Sequence, residues 1–186
     1  MKVLNNILLC SLFGLASFTA QAESGPTFAA GEQLFRTAGG YGCSACHGLF
    51  ANGGGNVGGN IRGKTLSDIN VSLASEPTML LLADSLSSGD RENLAFYLQI
   101  MGEINLVEWT IEDKPTTSTF NIAANKPAQL VVLNKTFEAI ELTIPDFIST
   151  QSIKLDPYQT KAVTWNPDQR VIKLNYNQSN LTINVK

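Results

Sequence analysis

Cys43-Ser44-Ala45-Cys46-His47 constrains this chain more than any other stretch. The run reads C-x-x-C-H, the attachment pattern of a c-type haem. Two cysteines three apart on one helical turn can each form a thioether to a haem vinyl group, and the adjacent imidazole then reaches the iron as proximal ligand. Other uses of a Cys pair fit less well. His47 is the only histidine and no further Cys pair follows, so a closed Cys/His zinc site cannot be assembled within one chain. A redox dithiol of the thioredoxin kind calls for a βαβ pattern, whereas the flanks here are helical or glycine-rich.

Residues 1–22 read as a secretory signal. Lys2 gives a positive start, residues 7–18 form a short apolar run, and Ala20-Gln21-Ala22 fits small-x-small cleavage. The apolar run is too short to span a bilayer. Cys10 would leave with the signal, since Leu9 before it is not the small residue of a lipidation site. Cys43 and Cys46 then remain alone, and no structural disulfide is expected. The expected location is the periplasm, with no membrane span after cleavage. Residues 23–186 suit one medium domain or two small ones. Residues 23–101 carry four basic residues, Arg36, Arg62, Lys64 and Arg91, against seven acidic ones, while residues 104–186 carry eight of each. No basic patch gathers, so nucleic acid is not an expected partner.

Between the signal and Met101 the periodicity is helical. Residues 27–36 predict a first helix with Phe28, Leu34 and Phe35 as apolar positions, stopped by Gly39-Gly40. Ser87 with Asp90 three residues on predicts the start of a last helix carrying Leu94, Tyr97, Leu98 and Met101, ended by Gly102. The order helix, C-x-x-C-H, loop, Met, helix resembles a class I cytochrome c over about 75 residues. Gly31 and Phe35 correspond to the family's Gly and aromatic on the first helix, and Ala95-Phe96-Tyr97-Leu98 to the motif that they cross. Gly58-Gly59-Asn60-Ile61-Arg62-Gly63 stands where the family has G-P-x-L-x-G, with Gly59 in place of Pro; its backbone carbonyl is expected to take the His47 Nδ1–H bond. The resemblance implies one covalent haem c on Cys43 and Cys46, with His47 and Met79 as axial ligands. Met79 lies in the Glu76-Pro77-Thr78-Met79 stretch, expected to be a loop, where the family places its axial Met. Met101 extends the helical stripe and reads as core filler. Arg62 and Lys64 read either as partners of a haem propionate or as solvated loop charges. The Gly-rich stretch 52–59 lacks the setting of a phosphate loop and is expected to let backbone pass close to the porphyrin edge.

Beyond residue 112 the period changes to two. Residues 128–133 are nearly continuously apolar, and Ile140/Leu142/Ile144, Val163/Trp165, Ile172/Leu174/Tyr176 and Leu181/Ile183/Val185 alternate with polar positions. Six or seven short strands are expected. The runs Phe120-Asn121-Ile122-Ala123-Ala124-Asn125-Lys126-Pro127, Leu130-Val131-Val132-Leu133-Asn134, Glu141-Leu142-Thr143-Ile144-Pro145-Asp146-Phe147 and Leu155-Asp156-Pro157-Tyr158-Gln159 resemble a cupredoxin domain. Ile140 falls near a family His position, and residues 113–186 contain no His, Cys or Met, so a blue-copper site cannot form there.

The expected architecture is therefore multidomain α plus β: signal peptide 1–22, an all-α class I cytochrome c domain at 23–101, a linker at 102–112 with a short strand at its end, and a cupredoxin-like Greek-key β-sandwich without copper at 113–186. The expected function is single-electron transfer between periplasmic redox proteins or to a membrane oxidoreductase complex, with the β domain docking or orienting and no enzymatic activity of its own. A haem-based gas sensor or peroxidase-like enzyme with an open sixth iron position is the alternative, and a mainly structural interaction module a third.

Overall fold

The computed structural model describes residues 25–55, 57–144 and 152–186. The expected signal peptide lies outside them, as do Pro145, Asp146 and Phe147 of the cupredoxin-like runs. Five α-helices come first among the described residues: α1 (Phe28–Thr37), α2 (Ser44–His47), α3 (Leu66–Ser75), α4 (Pro77–Ala83) and α5 (Ser88–Glu103). Eight strands follow: β1 (Asn105–Ile111), β2 (Thr117–Ile122), β3 (Ala128–Asn134), β4 (Ile140–Thr143), β5 (Ser152–Leu155), β6 (Thr160–Trp165), β7 (Val171–Tyr176) and β8 (Ser179–Val185).

The helix starts follow from side chains that replace missing backbone partners. Thr27 accepts from the Ala30 N–H at 3.2 Å. Thr65 with Asp68, and Ser87 with Asp90, close reciprocal capping boxes on α3 and α5. Helix α1 crosses α5 at Gly31, where a Cβ would lie 2.1 Å from the Asn93 carbonyl oxygen and 2.6 Å from Tyr97 Cβ. Only glycine allows that approach. Phe28 and Phe35 then pack on Tyr97, with ring centroids 5.1 and 5.2 Å away. Leu73, Leu94, Leu98 and Met101 complete this core.

The strands form three small sheets, ordered β1-β3-β6, β2-β8-β7 and β4-β5. They enclose a second core of Trp109, Leu130, Val132, Leu142, Ile172 and Leu181. Strand β3 is covered on both faces, as its nearly continuous apolar run requires. Leu130 and Val132 face the sheet core, whereas Gln129 and Val131 turn toward the helical region.

The expected fold class is corrected by this architecture. The chain is a mixed α/β protein, and its helices form a short region rather than an all-α class I cytochrome c domain. The reason lies in residues 48–65: none of those described is helical, and Asn52 pairs with Asn60 through an antiparallel bridge. The sheet part is likewise not the expected Greek-key β-sandwich. It is divided into three small sheets, two of which contain parallel pairings, β1 with β3 and β2 with β8. Parallel neighbours need a crossover, which β2 supplies by joining a different sheet from β1 and β3. Stretch 102–112 holds strand β1, separated from α5 by Ile104 alone.

Candidate functional site

Cys43 sits at the start of α2, buried at 9% exposure, and Cys46 and His47 lie within the helix. With only four residues, α2 cannot satisfy its own carbonyls. The glycine-rich stretch does so by folding back. The Gly53 N–H donates to the His47 carbonyl and the Gly58 N–H to the Cys46 carbonyl, both at 2.8 Å. A Cβ on Gly58 would lie 2.5 Å from His47 Nδ1. The glycines thus serve close passage of backbone against this helix and its imidazole.

His47 Nδ1 is 2.9 Å from the Gly59 carbonyl oxygen, the acceptor expected for it. A carbonyl oxygen can only accept, so Nδ1 carries a proton, and Nε2 is the nitrogen that bears the lone pair when the ring is neutral. That tautomer is the one a metal-binding imidazole needs. The missing proline at Gly59 does not cost this bond.

Cys43, Cys46, His47, Lys64, Met79 and Leu98 help to line a cavity of about 500 Å³. This volume is within the range of cofactor sites, roughly 300–1,000 Å³. Met79 reaches it from the first turn of α4, so the expected loop around it is a helix, with Pro77 preset for the first turn. Met101 is 3% exposed in the helical core. Among the described residues no group of three or more His, Cys, Asp and Glu could hold a metal ion. The sulfur and imidazole donors at the cavity are the Cys pair, His47 and Met79, and the carboxylates of Asp68 and Glu76 line it as well.

Burial pushes the Cys43 thiol up to about 11, with the neighbouring Cys46 adding to the rise and a backbone hydrogen bond opposing it. At neutral pH this sulfur is a thiol, the opposite of the lowered values that activate redox dithiols. A nucleophilic dithiol role loses support.

Lys64 lines the cavity and Arg62 does not. The Arg62 guanidinium donates instead to the Phe50 carbonyl at 3.2 Å, Gln129 Oε1 at 2.8 Å and the Ile104 carbonyl at 3.3 Å. Neither sequence reading of Arg62, propionate partner or solvated charge, matches that placement. Asn52 Nδ2 makes a second bridge to Glu108 on β1, at 2.6 Å. Both contacts escaped sequence reasoning, because nothing in a run of single polar residues tells which will meet across 56 or 67 positions.

A larger cavity, about 760 Å³, opens at the connections after β1, β3 and β7, beside Ile140. It is lined by no Cys, His or Met, so soft or imidazole ligation has no donor there. No protein-family model matches the chain, and no curated protein matches it.

Proposed function

We propose that this chain is an exported one-electron carrier, in which Cys43 and Cys46 would hold a single covalent haem c and His47 and Met79 would ligate its iron. The observation that carries the reading is the convergence of the C-x-x-C-H residues and Met79 on one cavity, with His47 Nδ1 bonded to Gly59 so that Nε2 is free to ligate. The donor set fits the group: two thiols for the vinyl positions, one neutral imidazole and one thioether. When bound, the haem supplies reversible one-electron chemistry at its iron.

The chain's own residues set the conditions for that chemistry. His47 is held in a single tautomer, which makes it the stronger donor. Met79 would supply a thioether sulfur to the iron, a ligand that favours the ferrous state and one-electron chemistry. Ile61, Ile69, Leu82 and Leu98 line the cavity and limit water, while Lys64 offers a cation for a propionate. The sheet part, which carries no His, Cys or Met, docks or orients the carrier against periplasmic redox partners or a membrane oxidoreductase complex.

Mass spectrometry of the full chain matured with haem-attachment machinery tests the cofactor. One haem adduct is expected, lost when Cys43 and Cys46 are both changed to Ser; an unmodified wild-type chain overturns the reading. Met79→Ala should abolish the absorption band of iron–thioether ligation and admit carbon monoxide, while Met101→Ala keeps the band. Carbon monoxide binding by the wild-type ferrous protein would instead favour an open-iron sensor or peroxidase.

A further inference from the structure

We infer that Arg62 and Gln129 form a positioning bridge through which the sheet part holds the residue 59–63 segment, and with it the hydrogen bond that orients His47. The bridge begins on β3. Gln129 is 8% exposed and presents Oε1 to the guanidinium at 2.8 Å, while its amide nitrogen lies 3.4 Å from Thr164 Oγ1 on β6. That second bond sets which end of the amide faces Arg62. From the other side the same guanidinium reaches the carbonyls of Phe50 and Ile104, so it ties three separate pieces of chain at one point.

Arg62 is three residues from the Gly59 carbonyl, and the intervening chain is stiff. The Arg62 N–H donates to Asn60 Oδ1 at 2.9 Å, the Ile61 N–H to the Ala51 carbonyl at 3.0 Å, and the Gly63 N–H to the Leu98 carbonyl at 2.6 Å. Those three bonds stay inside the helical region. Among the described residues the guanidinium carries the segment across to β3, while Asn52, paired with Asn60, reaches Glu108 on β1. Motion of β3 relative to α2 therefore reaches the Gly59 oxygen through a short braced segment.

No described carboxylate forms a salt bridge with Arg62. Its hydrogen bonds go to three neutral oxygens; burial lowers its pKa from the ordinary arginine value, and the charges of Tyr97 and Glu108 oppose that. Hydrogen bonds from a charged donor to well-placed neutral acceptors are stronger than neutral pairs, and losing one leaves a buried donor unsatisfied. The arrangement is costly to break and directional, as a positioning device requires. It also explains why a residue so near the cavity turns away from it.

The bond from His47 Nδ1 to Gly59 is present in the chain itself; its effect on iron rests on the proposed function. The test is hydrogen exchange of the His47 Nδ1–H, followed by NMR in the full chain with diamagnetic ferrous haem and again in the haem-free chain. The Leu94 amide in α5 serves as the internal reference for global opening. Gln129→Leu removes the acceptor but keeps the Arg62 charge. It should speed Nδ1–H exchange about tenfold or more relative to Leu94, the effect expected if about 1.4 kcal/mol of restraint is lost. Gln129→Glu keeps an acceptor and should leave exchange unchanged or slower. Equal relative exchange in wild type and Gln129→Leu, or loss of protection in Gln129→Glu as large as in Gln129→Leu, overturns the bridge. A variant that merely loosens the fold would accelerate Leu94 in parallel, which also counts against positioning. Absence of covalent haem in the wild type would refute the proposed function and still leave the haem-free comparison to decide this one.

Discussion

Cys43 is a thiol held at about 11 by burial, and that single number separates two chemical states of the protein. An acid whose folded pKa is raised keeps its proton in the native state while the unfolded chain has already released it. Native stability is therefore full below the unfolded value, near 8.5–9, and falls as pH rises toward the folded value near 11. The haem-free chain should lose about 2–3 kcal/mol of unfolding free energy across that window, as two pKa units correspond to about 2.7 kcal/mol. Thioether formation removes the Cys43 proton altogether, so the haem-bearing chain should lose less, the burial-raised Tyr97 acting alike in both forms. Denaturant titrations at pH 8, 9, 10 and 11 on both forms check it. A haem-free chain whose stability is flat over the window would show that Cys43 is less buried than described. The candidate site was readable at this scale in part. The C-x-x-C-H run is legible from its spacing, and the Gly59 acceptor came only through the resemblance of residues 58–63 to a G-P-x-L-x-G segment. Arg62 was misread because its partners, Gln129 and Ile104, lie far along the chain and are chosen by tertiary contact.

Gly31 shows how much an element can hang on one missing atom. A Cβ there would strike the Asn93 carbonyl and Tyr97 Cβ, neither of which can rotate away, because one is backbone and the other roots the side chain that Phe28 and Phe35 clasp. Gly31→Ala must therefore separate α1 from α5. Helix propensity would favour alanine by about 1 kcal/mol, but overpacking of this kind costs roughly 1–3 kcal/mol or more, so packing wins. A lowered melting temperature is the expected outcome of thermal unfolding followed by circular dichroism; an unchanged or raised one would mean that the crossing is looser than its geometry. The start of α5 was legible in Ser87 with Asp90, whereas the like box of Thr65 with Asp68, and with it α3, went unread, and Thr27 caps α1 rather than lying within it. The alternating runs likewise marked most strands. Helix α4 was not legible, since Thr78-Met79-Leu80-Leu81-Leu82 has no polar face to give a period, and Leu80 and Leu81 stay exposed.

The fold class is settled by pairings that no local pattern contains, which is why the expected all-α domain and Greek-key sandwich were not what formed. Strand β1 neighbours β3 although β2 lies between them in sequence, and the register joins Asn105 to Ala128 and Ile111 to Asn134. At the junction of helices and sheets, α5 ends at Glu103 and β1 begins at Asn105. Several bonds converge there. The Asn105 N–H donates to the Pro127 carbonyl at 2.8 Å, its side chain accepts from the Ala123 N–H and donates to the Ala123 carbonyl, and Glu103 pairs with Lys126 at 2.8 Å. The exposed ion pair contributes little, but the Asn105 bonds and the Arg62 bridge fix direction at both sides of Ile104. A junction of one residue with such anchors allows no independent rotation, so the helical and sheet parts should tumble as one body. Amide relaxation should give the same correlation time for α5 and β3. Inserting a flexible Gly/Ser linker of about ten residues after Glu103 adds reach without removing any side chain. If the covalent junction dominates, the insertion yields two correlation times. If the Arg62–Gln129 and Asn52–Glu108 contacts suffice, it yields one, and adding Gln129→Leu to the insertion then splits it. Two correlation times in the unmodified chain would contradict the rigid junction outright, and would also deprive the sheet part of any means of holding the His47 bond.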